Sequence, residues 1–163
     1  MMMEKILISA CLLGRKVRYD GQVITEPEQL IMQWKTQGRV IAVCPEVDAG
    51  MAIPRLPAEI IAGDSQGVIE QRNRVMDKQG DDVTDYFIKG AHIALSLCQQ
   101  YDIKVAILTE RSPSCGSSEV YDGEFTNKLI VGQGVTTTLL RAHGVKVFNQ
   151  HQLRQAHQYL LSL

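Results

Sequence analysis

Val105-Ala106-Ile107-Leu108-Thr109-Glu110-Arg111-Ser112-Pro113-Ser114-Cys115-Gly116-Ser117-Ser118 is the stretch that decides the fold. Its first four residues are an unbroken apolar run, the pattern of a strand covered on both faces and hence of a parallel sheet. The polar remainder, with its proline and glycine, reads as a loop leaving the carboxyl end of that strand. Three more runs of this kind lie along the chain: Lys5-Ile6-Leu7-Ile8-Ser9-Ala10, Val40-Ile41-Ala42-Val43 and Val145-Lys146-Val147-Phe148. Helical patterns separate them. Thr25-Glu26-Pro27-Glu28 has capping-box spacing ahead of Leu30, Ile31 and Trp34, and Phe87, Ala91, Ala94, Leu95 and Cys98 fall on one helical face. A helix from about Thr136 to Ala142 ends at Gly144, and a last one, capped by Asn149, is expected to bury Leu153, Ala156 and Leu160.

Parallel strands need crossover connections, so this alternation predicts an α/β domain. The expected architecture is a mainly parallel sheet flanked by helices, Rossmann-like, with residues 1–163 forming one domain. Between Val47 and Glu70, glycines and prolines interrupt two apolar stretches, Glu59-Ile60-Ile61-Ala62 and Val68-Ile69-Glu70, which predict a small hairpin insertion.

The chain has 163 residues, 17 Lys and Arg against 18 Asp and Glu, and 45% hydrophobic residues. That length buries enough surface to fold without disulfides. The balanced charge argues against a nucleic-acid partner, which is usually met by a basic excess. No apolar run reaches the roughly 20 residues of a membrane span, and Ile6 to Ala10 is too short for a signal sequence, so a cytoplasmic protein is expected. In such a compartment the four cysteines point to metal binding or catalysis before disulfides.

Cys11, Cys44 and Cys115 each fall at or just beyond the carboxyl end of a predicted strand, the edge where open α/β sheets bind ligands. Each is followed closely by Gly14, Pro45 or Gly116, residues that make irregular backbone with amides free for an anion or a cluster sulfide. Three converging thiolates without a neighbouring histidine suit a zinc site or an iron–sulfur cluster, with a metal position left open. Simple packing at strand ends is the alternative. Cys98 belongs to the apolar stripe of its helix. His92, His143, His151 and His157 read as surface or capping residues.

Glu46 follows Cys44 by two residues, and in an extended segment it would face the same way, placing a general acid or base beside the metal. Ser112, Ser114, Ser117 and Ser118 concentrate hydroxyls around Cys115, a composition suited to holding an oxyanion or a polar substrate. Gly132-Gln133-Gly134-Val135-Thr136 opens a helix whose first amides can hold an anion. Arg15, Lys16 and Arg18, with Arg55 and Arg111, make a candidate basic rim. Arg15, Ser117 and Gly134 are therefore expected substrate contacts.

Ser9-Ala10-Cys11-Leu12-Leu13-Gly14, Val43-Cys44-Pro45-Glu46, Arg111-Ser112-Pro113-Ser114-Cys115-Gly116 and Gly132-Gln133-Gly134-Val135-Thr136 together resemble the family known as domain of unknown function 523. The likeness extends over nearly the whole chain and is similar to that of the bacterial thiouracil desulfidases. It implies a [4Fe-4S] cluster held by Cys11, Cys44 and Cys115, with a fourth iron open to the sulfur of a small thiolated substrate. It also implies Glu46 as the acid/base and Ser114, or else Ser112, as the hydroxyl that contacts substrate near the reacting carbon. Two other readings stay open: a non-catalytic metal or redox-sensing cysteine protein, and a nucleotide-binding α/β protein whose cysteines only pack.

Overall fold

The computed structural model of the chain describes residues 3–14 and 29–163. The capping box at Thr25 to Glu28 and the basic residues Arg15, Lys16 and Arg18 lie outside the described residues. The first part of the chain gives β1 (Ile6–Ser9), α1 (Gln29–Thr36), β2 (Val40–Val43), α2 (Pro45–Asp48), β3 (Ala58–Ile60), α3 (Ser65–Ile69) and β4 (Val75–Asp77). The second part gives α4 (Thr84–Tyr101), β5 (Val105–Ile107), β6 (Glu119–Tyr121), β7 (Leu129–Val131), α5 (Val135–Ala142), β8 (Lys146–Phe148) and α6 (Leu153–Leu161).

Four strands form a parallel sheet in the order β2-β1-β5-β8, with Leu7 beside both Ile41 and Ala106, and Ala106 beside Val147. Alternation along these strands divides the core in two. Leu7, Ala106 and Val147 face α4 and α5, where Phe87, Ala91, Ala94, Leu139 and Leu140 cover them. Ile6, Ile8, Val105 and Ile107 face the other way, onto Ile31 and Trp34 of α1 and Leu153, Ala156 and Leu160 of α6. Both faces are therefore dry, which is why the strands read as continuous apolar runs. This is the Rossmann-like α/β layering the sequence predicts.

Cys98 lies inside the α4 face, 3% exposed, and burial alone pushes its thiol up to about 11. Cys98→Ala removes one sulfur from that packing, so it is expected to cost about 1 kcal/mol in urea denaturation. It should leave cofactor content and turnover unchanged.

Three local expectations are corrected. The partner of β3 is β4, antiparallel with Ile60 beside Val75, and Val68-Ile69-Glu70 is not a strand. Asp64 accepts the Gly67 N–H at 2.9 Å and caps α3, so the β-branched pair Val68-Ile69 turns inward on a short helix. Asn149 does not cap α6, which starts at Leu153; its side chain is drawn instead to Glu110 and Ser117. The third correction concerns Glu46. Pro45 takes the first position of α2, and the Asp48 carboxylate accepts the Cys44 N–H at 3.1 Å, so the segment coils immediately after Cys44. The sequence reading also lacks the hairpin of β6 and β7, in which Val120 pairs with Ile130.

Candidate active site

The chain passes from β1 out to β2, then returns across the sheet to β5 on the other side of β1. That reversal opens a crevice at the carboxyl edge between β1 and β5. Cys11 enters it from a single 3-10 turn, Ala10–Leu13, directly after β1. Cys44 enters from the residue after β2, in extended conformation, and Cys115 from the loop that leaves β5. All three line one cavity of about 590 Å³, together with Glu46, Arg55 and Ser112.

Cys44 and Cys115 are poor thiolates when left to themselves. Burial pushes Cys115 well above the ordinary thiol value, and the charges of Cys44, Glu46 and Cys11 push the same way, against a hydrogen bond from Ser9. Cys44 rises to about 11, first through burial. Cys11 Sγ stands 2.7 Å from the Thr109 hydroxyl. Soft, mutually repelling, desolvated sulfurs of this kind become thiolates when a metal supplies the positive charge, so the donor set fits an iron–sulfur group. Among the described residues, no three His, Cys, Asp or Glu side chains stand close enough to share one metal ion. A cluster asks for wider spacing, since each thiolate takes a separate iron.

Glu46 reaches the cavity from the first turn of α2. Its Oε1 accepts the Arg55 Nε–H at 3.1 Å, and both side chains are nearly buried, at 14% and 7% exposure. Its Oε2 faces the hydroxyls of Ser112 at 3.4 Å and Ser114 at 3.3 Å. Three donors thus hold the carboxylate in one orientation. The Ser112 oxygen also accepts the N–H groups of Ser114 at 3.0 Å and Cys115 at 3.2 Å, so one hydroxyl links the acid to the cysteine loop. Ser112 is on the cavity wall. Ser114 is 1% exposed and supports Glu46 from behind it.

The other expected contacts are placed differently. Gly134 gives its N–H to the Gly116 carbonyl at 2.8 Å, and a Cβ there would stand 2.3 Å from the Ser114 carbonyl carbon. It lets α5 press against the cysteine loop and does not line the cavity. Ser117 is buried beneath the loop. Arg55 and Arg111 do line the cavity, as does His151, which is exposed as the sequence reading expects. Arg15 lies outside the described residues.

Glu110 is the residue that sequence reasoning misses. Its Oε1 accepts the N–H groups of Ser117 at 2.8 Å, Arg111 at 3.1 Å and Ser118 at 3.2 Å. Its Oε2 accepts the hydroxyls of Ser117 at 2.7 Å and Ser118 at 2.8 Å and the Asn149 amide at 2.7 Å. The loop carrying Cys115 is wrapped around this carboxylate. A signal was available: an acid ending a strand just before a loop with more hydroxyls and amides than acceptors. Burial works to raise the Glu110 pKa, but the hydrogen bonds from Ser117, Ser118 and the loop amides overcome it and bring the group down to about 2. The folded value lies below the ordinary 4.5, so this stabilisation is present above about pH 4.5 and is lost as pH falls toward 2. Glu110→Gln is expected to lower stability at pH 7 by about 2 kcal/mol and to flatten the acid limb, as measured by urea midpoints between pH 7 and pH 3.

Three thiols at strand ends and a nearly buried acid share one cavity at the switch point, the place where an α/β protein of this layering takes a small ligand. The chain belongs to the 2-thiouracil desulfurase family, whose sequence profile matches residues 6–152. It is similar to a solved structure described as the [4Fe-4S]-dependent thiouracil desulfidase TudS, with 42% identity and a TM-score of 0.90 over 98% of this chain and 99% of that one. It is also 36% identical over 148 residues to the uncharacterized protein YbbK of Bacillus subtilis (strain 168), covering 91% of this chain and 97% of that protein.

Proposed function

We propose that the protein is a desulfidase that exchanges the sulfur of a thiolated heterocycle such as thiouracil for oxygen, using a [4Fe-4S] cluster held by Cys11, Cys44 and Cys115. The observation that carries this reading is the meeting of those three cysteines with the Arg55-paired Glu46 in one cavity. Family membership and the 42% identity to TudS support it. When bound, the cluster supplies soft Lewis acidity toward sulfur at the iron that has no protein ligand.

The chain's own groups handle the oxygen and the protons. Glu46, fixed by Arg55 and two serine hydroxyls, takes a proton from the water that attacks the thiocarbonyl carbon and returns it to the departing sulfur. The net change is thiocarbonyl plus water to carbonyl plus hydrogen sulfide, with no electron gained or lost. Ser112, on the cavity wall, orients the substrate beside Glu46. The substrate is small and needs no nucleic-acid surface, and no described helix is long and apolar enough to cross a membrane.

Anaerobic reconstitution with iron and sulfide, followed by incubation with 2-thiouracil, tests the reading. The expected result is a brown protein with matched iron and sulfide that releases uracil and hydrogen sulfide. A cluster-loaded protein that leaves thiouracil intact would point to the non-catalytic metal or redox-sensing reading.

A further inference from the structure

One side of the cavity wall comes from the two hairpins outside the main sheet, and it has a construction of its own. Tyr121, at the end of β6, lines the cavity, and so do Phe125 and Asn127 in the connection to β7. Phe125 has φ 59° and Asn127 φ 61°, both in the left-handed region. Asn tolerates that region; an aromatic residue rarely adopts it. A backbone held there persists only where its surroundings impose it, and such positions concentrate where function requires them.

Here the constraint is visible. Glu59 of β3, 8% exposed, directs Oε1 at the connection and accepts the N–H groups of Gly123 at 2.9 Å and Phe125 at 3.2 Å. Gly123 in turn packs so tightly on β3 that a Cβ would stand 2.7 Å from the Ile60 carbonyl oxygen. The insertion hairpin of β3 and β4 therefore grips the β6–β7 connection through a buried carboxylate and a backbone contact. Through this grip two aromatic residues and an asparagine are held on the cavity wall.

We infer that Phe125, with Tyr121, is the platform on which the substrate ring lies, and that Asn127 reads its edge. The inference rests on the desulfidase reading for the reaction and adds the specificity element. Aromatic faces bind a flat π-system, and a carboxamide offers one acceptor and paired donors. The ligand class this fits is a planar heteroaromatic ring with a carbonyl or thiocarbonyl next to a ring N–H. Glu59 is a positioning residue for the platform, and Phe125 determines specificity.

The test uses the reconstituted enzyme and its Phe125→Ala, Phe125→Tyr and Asn127→Ala variants. Stacking on one aromatic side chain predicts about a tenfold or larger rise in KM for 2-thiouracil in Phe125→Ala, with kcat and iron content close to wild type. Phe125→Tyr should restore KM. Methylating the ring nitrogen should penalise the wild type and not Asn127→Ala. An unchanged KM in Phe125→Ala, or a fall in iron content and kcat with KM constant, overturns the inference. If the wild type does not turn over thiouracil, the desulfidase reading fails, and the platform is then judged by calorimetric titration with uracil. Binding by the wild type that is lost in Phe125→Ala supports it; no binding by the wild type overturns it.

Discussion

Cys115→Ser protein is expected to come out of anaerobic reconstitution colourless, with iron near background and no thiouracil turnover. Cys115 is 5% exposed, and hydrogen bonds that need no metal fix its loop. Thr137 donates its hydroxyl to the Cys115 carbonyl at 2.9 Å, Ser112 accepts the Cys115 N–H, and Glu110 holds the residues that follow. A serine would sit in the same place and offer a hard oxygen where a soft sulfur is needed. The thiol's own hydrogen bond is to Ser9, which a serine hydroxyl can also make, and the rest of the loop is held without it, so the variant should unfold within about 1 kcal/mol of the unreconstituted wild type. Loss of stability together with loss of iron would mean that the sulfur supports the fold. Full retention of iron would remove Cys115 from the ligand set.

Glu46→Gln separates chemistry from assembly. The amide keeps the size of the side chain, and its single oxygen can still accept from Arg55 while its NH2 turns to the serine oxygens, but it cannot take a proton. Removing a general acid/base lowers kcat by about 10²–10⁴-fold, and that range is expected here with iron content unchanged. The Arg55 guanidinium, 7% exposed on its side chain, would face an amide in place of a charge, so the melting temperature should fall modestly. The comparison that decides is kcat per bound iron. Turnover within a few fold of wild type would assign the proton transfers elsewhere.

Much of this was legible in the amino-acid sequence, for a physical reason. Ile6-Leu7-Ile8 and Val105 to Ile107 are buried on both faces and Val40 to Val43, at the sheet edge, is partly so; their apolar runs are unbroken, and their order with the intervening helices defines the sheet. The separation of Cys98 from the other cysteines was readable too, because a helical stripe is a local pattern, and the structure places Cys98 in the core. The β6–β7 hairpin was not readable: three-residue strands are too short to display alternation. Val68-Ile69 carries β propensity, yet the Asp64 cap and inward packing make it helical. At Glu46 an alternating strand geometry was assumed, whereas Pro45 starts a helix, and the acid reaches the cavity by a different route. Glu110 left only a compositional signal, an acid ahead of a hydroxyl-rich loop, because the contacts that define its role are made once the loop has folded around it.

Helix α4 lends no side chain to the cavity, yet one of its residues sets where Glu46 can stand. Gly90 lies so close to α2 that a Cβ would come within 2.3 Å of the Pro45 carbonyl oxygen, and the obstacle is backbone, which cannot rotate aside. Any larger residue at position 90 would lift α2 outward and carry the acid away from Ser112, Ser114 and the cysteines. Position 90 thus fixes the placement of Glu46 through backbone packing, from the side of α2 away from the cavity. A substitution such as Gly90→Ala therefore reaches the cavity indirectly, through the position of a helix and without touching any residue that lines it.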